Sequence, residues 1–298
     1  MSVANQSVKQ ARRIRPRNVA KLAERKFTLL AIGDGVADRD ELVAFFVPVE
    51  LAAPERDYAL ACLDAVDAAD PRIADFARAA DVVVVTPRAR NLPMALPVEA
   101  DLLDPQAPNA GVATLLRRHA NLLLALSRRF PRLRAAAAAV LIQNAALRNA
   151  AVAALSAIPE VVPTPLGLVW AAGEFASDTV LLTSNQIRLA LQLAAIQGES
   201  VGWLNQSGDI LLILGGAFGW RALARTLVSL VPAGVGLAAK SSIAYGGTVA
   251  VGRFLWRRAE PRPWLVPRPA PRVVLERSGR GRWRARPLPN LAQHTAGL

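Results

Sequence analysis

A cluster of carboxylates follows the first apolar run of the chain, at a point where an α/β protein could bind phosphate. Residues 33–41 read Gly-Asp-Gly-Val-Ala-Asp-Arg-Asp-Glu. A phosphate-binding loop needs a lysine for the phosphates and a Ser or Thr for Mg²⁺, and this segment has neither. Its four carboxylates, Asp34, Asp38, Asp40 and Glu41, would repel a triphosphate. We therefore predict that the chain binds no nucleotide or other cofactor.

Metal binding and nucleophilic catalysis are not predicted either. The carboxylates depart from the Asp-x-Asp-x-Asp-Gly pattern of a calcium loop, and Asp38 with Glu41 matches the Asp-x-x-Glu start of a helix. Cys62 lies in an apolar run with no histidine nearby, and no Gly-x-Ser-x-Gly motif occurs. His119 falls on the apolar face of a predicted helix, where a structural role is expected. We therefore predict a protein that is not an enzyme.

Strand-like and helix-like segments alternate around these residues. The strand-like runs are 27–33 and 82–85, the helix-like segments are 39–46 and 73–80, and the run 59–66 fits either structure. This alternation predicts a small Rossmann-like α/β domain over residues 27–106.

Charge is distributed very unevenly. Residues 27–116 carry 15 Asp or Glu against six Arg, whereas residues 1–26 carry eight Lys or Arg against one Glu. The Arg/Pro-rich tail, 259–298, is predicted to be disordered apart from an isolated strand at 273–275. Residues 1–26 are predicted to form a disordered or loosely helical basic arm. Basic segments suit anionic lipid, nucleic acid or the acidic domain itself, and an Arg-rich genome also produces them.

Residues 107–134 are predicted to form a basic amphipathic helix or linker. Leucines occupy one face, and Arg117, Arg118, Arg128 and Arg129 occupy the other. Such a helix can lie on an anionic membrane surface or pack on its own protein.

A nearly uncharged block follows. From residue 149 to residue 252 only nine of 104 side chains are charged. Helical patterns extend over 133–158, 166–197, 208–231 and 235–258, with proline-containing turns after the first and the third. The predicted fold class is thus an α/β N-terminal domain followed by an all-α domain of two long helical hairpins, residues 135–258.

Several stretches of this block resemble a bacterial family, the YcjF-like domain of unknown function. They are residues 182–198 (LTSNQIRLALQLAAIQG), 221–225 (RALAR), 230–232 (LVP) and 240–248 (KSSIAYGGT). The matching positions are Thr183, Asn185, Gln186, Arg188, Gly198, Arg221, Arg225, Pro232, Lys240, Tyr245 and Gly246. Gln197 departs from the family, in which an aromatic residue commonly precedes the glycine.

The resemblance implies an inner-membrane helical module, which in many relatives follows an Era-like GTPase domain, and it implies no activity. The α/β domain over residues 27–106 is then interpreted as a GTPase-like fold that has lost nucleotide binding. The alternative is an unrelated small α/β domain.

Membrane association is the main expectation from the apolar block. Residues 226–252 are long enough to span, with Lys240 as the sole charge, although a central lysine costs about 2.5–3.5 kcal/mol. Arginine clusters at 117–134 and 253–286 place both ends of the block in the cytoplasm, so an even number of crossings, or hairpins that dip in from one face, is expected. A soluble four-helix bundle is the alternative.

The leading functional hypothesis is a non-enzymatic scaffold or regulator at the bacterial inner membrane, with the N-terminal domain and the tail in the cytoplasm. Anionic headgroups would contact Arg117, Arg118, Arg128, Arg129, Arg257 and Arg258. The acidic domain would bind a cytoplasmic protein, for which a GTPase is one candidate. Alternatives are a soluble nucleic-acid-binding protein that uses the basic arms, which no recognised reading motif supports, and a residual nucleotide-binding, GTPase-like regulator. The sequence does not indicate an oligomeric state.

Overall fold

The structure is a computed structural model that describes residues 15–90, 95–161, 167–211, 213, 236–259, 273–277 and 283–287. The described residues form two compact units. The α/β unit contains those of Lys26–Ala120, Arg129–Leu133 and Pro261–Leu298, and the helical unit contains those of Met1–Arg25, Asn121–Arg128 and Arg134–Glu260.

Helices and strands alternate at first, and long helices follow. In chain order the elements are α1 Pro16–Ala23, β1 Leu29–Gly33, α2 Gly35–Phe46, α3 Ala53–Leu60, β2 Leu63–Asp67, α4 Ile73–Ala79, β3 Val82–Val85, β4 Asp101–Leu102, α5 Pro108–Arg118, α6 Leu123–Arg129, α7 Arg134–Val161, α8 Gly167–Ile196, α9 Gly236–Ala259, β5 Val273–Arg277 and β6 Trp283–Pro287. Single 3₁₀ turns occur at Arg88–Arg90 and Pro131–Leu133.

The α/β unit is built on a parallel four-stranded sheet with the strand order β2-β1-β3-β4. Strand β1 lies in the interior of the sheet and is buried along its whole length, which explains its uninterrupted apolar sequence. One face of the sheet packs against Ile73 and Ala77 of α4. Phe27, Phe46 and Phe130 form a separate aromatic cluster in this unit. The predicted small α/β domain is confirmed.

Two segments of this unit differ from the sequence prediction. The ambiguous run 59–66 is divided, because α3 ends at Leu60 and β2 begins at Leu63. The helix expected from residue 39 begins instead at Gly35, whose φ of +77° allows the chain to turn directly after β1. Asp38 is therefore not the residue that precedes the helix. It lies inside the first turn, and its carboxylate accepts the backbone N–H of Asp34.

The basic amphipathic helix predicted over 107–134 is interrupted. Helix α5 ends at Arg118 and α6 starts at Leu123, with turns between them. His119 lies directly after the end of α5, and its side chain bonds to Asp101 of β4 instead of lying on the apolar face of a continuous helix. The arginines before and after the break therefore do not share one continuous helical face.

Helices α7, α8 and α9 pack together in the helical unit. Gly252 of α9 is the point of closest approach, since a Cβ there would lie 2.8 Å from Cγ1 of Ile142 and 3.2 Å from Cδ2 of Leu189. The predicted helix 208–231 is described only for residues 207–211 and 213, which are helical. Arg221, Arg225 and Pro232 lie outside the described residues, so the arrangement in two hairpins remains a prediction.

Both ends of the chain contain more structure than expected. Helix α1 contributes the buried side chains Val19 and Ala23 to the helical unit, within the segment predicted to be loosely ordered. The strand predicted as isolated at 273–275 is paired: β5 runs antiparallel to β6, from Val273 opposite Pro287 to Arg277 opposite Trp283. The isolated-strand prediction was wrong because β6 supplies the backbone partners that an extended segment needs.

Substitution of two glycines in α9 tests the close helix contact. We expect Gly252→Ala to lower the stability of the helical unit by about 1–3 kcal/mol, because the new methyl group overlaps Ile142. Gly246→Ala is the matched control: a Cβ at residue 246 meets nothing within 4 Å, so the gain in helix propensity should raise stability by up to about 1 kcal/mol. Thermal unfolding followed by circular dichroism measures both, and equal effects would contradict the packing.

Candidate functional site

The carboxyl ends of β1 and β3 are held together by a buried carboxylate. Asp38 is only 4% exposed, and it accepts the N–H of Asp34 at 2.8 Å and the hydroxyl of Thr86. Arg88 adds a guanidinium N–H at 3.3 Å. In phosphate-binding α/β proteins, backbone and side-chain donors at this edge hold the anion. Here the carboxylate of Asp38 accepts hydrogen bonds from the donors that a phosphate would need.

The neighbouring carboxylates are also engaged in contacts within the α/β unit. Asp40 pairs with Arg39 at 2.8 Å, and Glu41 accepts the side-chain amide of Gln106 at 2.9 Å. Over the residues that the structure describes, no group of three or more His, Cys, Asp or Glu side chains could hold a metal ion. The cluster singled out in the sequence is therefore a set of ion pairs and hydrogen bonds around a helix start.

A second buried carboxylate, Asp101, connects the edge strand β4 to α5. His119 Nε2 lies 2.8 Å from its Oδ2, and Arg118 Nη1 lies 3.2 Å from its Oδ1. Arg118 also pairs with Glu99 at 3.0 Å. The structural role expected for His119 is thereby explained by a partner that lies 18 positions away in sequence.

The arginines predicted to contact lipid headgroups belong to two different units. Arg117, Arg118 and Arg129 belong to the α/β unit, whereas Arg128, Arg257 and Arg258 belong to the helical unit. The surface position predicted for Arg129 is wrong. Its side chain is 8% exposed, and its guanidinium lies 4.3 Å from the ring centroid of Tyr58 and 5.2 Å from that of Phe27. It is a cation–π centre of the α/β core.

The helical unit has one end at which arginines collect, here called the basic end, which comprises Arg128, Arg134, Arg257, Arg258 and the turn 199–206. Arg128 donates to the carbonyls of Ala195 and Glu199, both at 2.9 Å, at the end of α8. Arg258, at the end of α9, lies 3.4 Å from Asp209. The start of α7 and the ends of α8 and α9 therefore meet at this end, where cations also suit the helix C-termini.

A buried polar network joins the three long helices, here called the polar triad: Asn149, Asn185 and Thr248. The amide of Asn149 donates to Thr248 Oγ1 at 2.8 Å, and the amide of Asn185 donates to Asn149 Oδ1 at 2.7 Å. The hydroxyl of Thr248 donates a hydrogen bond to the carbonyl of Ala244 at 2.8 Å. Asn149 and Thr248 are each 1% exposed, so these bonds are made without competition from water.

The residues that carry the family resemblance occupy varied positions. Asn185 belongs to the polar triad, and Gly198 has a φ of +88° that ends α8, with its N–H bonded to the carbonyl of Ala195 at 3.2 Å. The remaining described positions are Thr183, Gln186 and Lys240, which are partly buried, and Arg188, Tyr245 and Gly246, which are exposed. The structure thus explains why residue 185 is an asparagine and why residue 198 is a glycine.

Exposed apolar side chains are concentrated in the helical unit. They include Leu147, Leu155, Trp203, Leu204, Leu211 and Phe254. Among the described residues, one helical stretch, Pro131–Leu155, is long and apolar enough to cross a membrane, a criterion that the core helices of soluble proteins also meet. Trp203 and Leu204 were not singled out in the sequence, although their position in a turn between Gly202 and Gly208 marks them as surface residues.

Cys62 is the single cysteine of the chain, and it is buried in the α/β unit. Burial raises the pKa of Cys62 to about 12, against the opposing effect of the positive Arg129. The thiolate is the nucleophilic form of cysteine, so this thiol is inert at neutral pH.

Disruption of the polar triad should destabilise the helical unit. Asn149→Ala leaves the amide of Asn185 and the hydroxyl of Thr248 without their partner, which costs about 1–3 kcal/mol. Gln143→Ala, on the exposed side of the same helix, is the control and should change stability by less than about 0.5 kcal/mol. Chemical unfolding curves give both values, and a neutral Asn149→Ala would show that the triad does not hold the helices.

The reactivity of Cys62 tests the packing of the α/β unit. We expect a neutral maleimide to leave the folded protein unmodified at pH 7.5 and to label it once urea has unfolded it, because unfolding exposes the thiol to water and lowers its pKa towards that of a free cysteine. Val36→Cys, in the same unit at an exposed position, is the positive control and should react in the folded state. Mass spectrometry reads the product, and rapid labelling of folded Cys62 would contradict its burial.

Comparison with known proteins yields no relative. No family model matches the chain, no curated protein matches it, and no solved structure matches it. The resemblance to the YcjF-like domain therefore rests on the sequence motifs alone.

Proposed function

We propose that the protein is a non-enzymatic scaffold or regulator that associates with the cytoplasmic face of a bacterial inner membrane through its helical unit. The observation that carries the proposal is the basic end, at which arginines from three separate segments meet beside exposed apolar side chains. Clustered cations attract anionic headgroups, at about 1 kcal/mol for each Lys or Arg near the surface.

The placement of charges bears on how the helical unit lies in lipid. Arg148 is exposed near the middle of α7, and Arg188 is exposed in the last third of α8. A straight crossing by α7 would place Arg148 near the bilayer centre, where an arginine costs about 2.5–3.5 kcal/mol. Beyond Arg148, α7 continues for residues 149–161, about 20 Å at 1.5 Å per residue, which is shorter than the hydrocarbon core of about 30 Å. Shallow association that begins at the basic end is therefore favoured over a straight span.

The remaining parts of the proposal follow from charge and from the resemblance. The acidic stretch 27–116 is repelled by an anionic surface, so this stretch stays in the cytoplasm, where it can bind a protein partner, for which a GTPase is one candidate. Asp38 accepts the hydrogen bonds of the donors at the carboxyl edge of the sheet, which argues against nucleotide binding by the α/β unit itself. The resemblance to an inner-membrane module supports the same location.

Fractionation of a cell lysate tests the proposal. We expect the tagged protein in the membrane pellet at low salt, with only partial release by high salt and further release by carbonate. The double variant Arg257→Glu/Arg258→Glu should shift the protein towards the supernatant, because it reverses two exposed cations of the basic end. Arg72→Glu/Arg78→Glu, with the same charge change on the α/β unit, is the matched control and should leave the distribution unchanged.

Two results would overturn the proposal. One is a wild-type protein that is entirely in the supernatant at low salt. The other is a salt-sensitive complex of the purified protein with RNA or DNA, combined with no binding to anionic vesicles, which would favour the nucleic-acid alternative.

A further inference from the structure

The turn between α8 and the helix at 207–211 exposes two large apolar side chains side by side. Trp203 is 49% exposed and Leu204 is 88% exposed. Burial of large apolar side chains stabilises a folded protein, and these two side chains contribute little of that stabilisation while they are exposed. Adjacent exposed apolar side chains are typical of surfaces that contact lipid or protein.

The shape of this turn is fixed by its own polar side chains. Gln206 is buried: its Oε1 accepts the N–H of Gly202 at 2.8 Å, and its Nε2 donates to the carbonyl of Ser200 at 3.1 Å. Asn205 donates to the same carbonyl at 2.9 Å. These bonds hold the backbone, so Trp203 and Leu204 are presented in a preformed arrangement with little further entropy to lose on binding.

Cations lie on both sides of the turn. Arg128 bonds to the carbonyl of Glu199 before it, and Arg258 lies beside Asp209 after it. The basic end, with its four arginines, contains two acids near the turn, Glu199 and Asp209, so the surroundings of the apolar pair have a net positive charge. An apolar pair among arginines matches an anionic lipid surface, where tryptophan lies at the headgroup level and arginines bind phosphate.

We infer that the turn 199–206 is a membrane-inserting wedge, in which Trp203 and Leu204 enter the boundary between headgroups and acyl chains while the flanking arginines contact lipid phosphates. This inference rests on the membrane association proposed above, and it names the part of the chain that enters the lipid. An apolar groove of a partner protein would bury the same two side chains, but it would not need the surrounding positive charge.

A fluorescent probe at residue 204 tests the wedge in the full-length chain. Because Cys62 is buried and its thiol is protonated, Leu204→Cys can be labelled selectively with an environment-sensitive maleimide dye. With vesicles of phosphatidylcholine and phosphatidylglycerol, we expect a blue shift and quenching by lipids that carry a nitroxide near the headgroup. Vesicles of phosphatidylcholine alone should give a much smaller change. The same dye attached at Val36→Cys, which is exposed in the α/β unit, should keep the emission of a dye in water with and without vesicles.

A second variant checks the contribution to binding. Trp203→Ser/Leu204→Ser should lower the affinity for the anionic vesicles at least tenfold while leaving the circular dichroism spectrum unchanged, because both side chains are exposed. If the chain sediments with vesicles but the dye at residue 204 stays in water, the wedge is overturned and the membrane association stands. If the dye is already shielded without vesicles, the turn is covered by protein and the wedge is again overturned. If the chain does not sediment with vesicles, both proposals fall.

Discussion

The helical unit depends on the polar triad of Asn149, Asn185 and Thr248. Helix α7 is rich in alanine, and alanine surfaces can slide along one another with little loss of contact. Buried amides and hydroxyls remove that freedom, since any shift would leave a donor or acceptor without a partner in an apolar interior. In coiled coils a single buried asparagine fixes register by the same physics. The close approach at Gly252 reinforces the same alignment of α7, α8 and α9.

The α/β unit uses buried polar groups differently. Asp38 lies where the strands β1 and β3 end, a position at which related architectures bind anionic ligands. Its carboxylate accepts hydrogen bonds from the N–H of Asp34 and the hydroxyl of Thr86, so a side chain of the protein lies where an anionic ligand would bind. Arg129 is the cationic counterpart: it lies over the rings of Phe27 and Tyr58 instead of at the surface. Both of these charged residues thus serve the internal structure of the unit.

Local patterns in the sequence predicted the fold better than they predicted the contacts of individual charged residues. The four valines of β3 and the apolar run of β1 identified the sheet, because a buried parallel strand needs little beyond β-branched and apolar side chains. The end of α8 at Gly198 likewise follows from local backbone geometry. By contrast, His119 bonds to Asp101, 18 positions away, and Arg129 contacts Tyr58, 71 positions away. The periodicity of a sequence does not predict contacts between residues so far apart. The break between α5 and α6 was missed for the same reason.

Register within the helical unit connects the polar triad to the proposed membrane contact. Thr248 and Gly252 lie one to three helical turns before the arginines at the end of α9, and their contacts determine which residues of α9 lie beside the start of the helix at 207–211. A slip of α9 by one helical turn would move Arg258 by about 5.4 Å, enough to separate it from Asp209, which now lies 3.4 Å away. The flanking cations of the turn 199–206 would then no longer stand on both sides of Trp203 and Leu204. A few buried hydrogen bonds in the middle of the helices thus determine whether the apolar pair is presented among positive charges or without them.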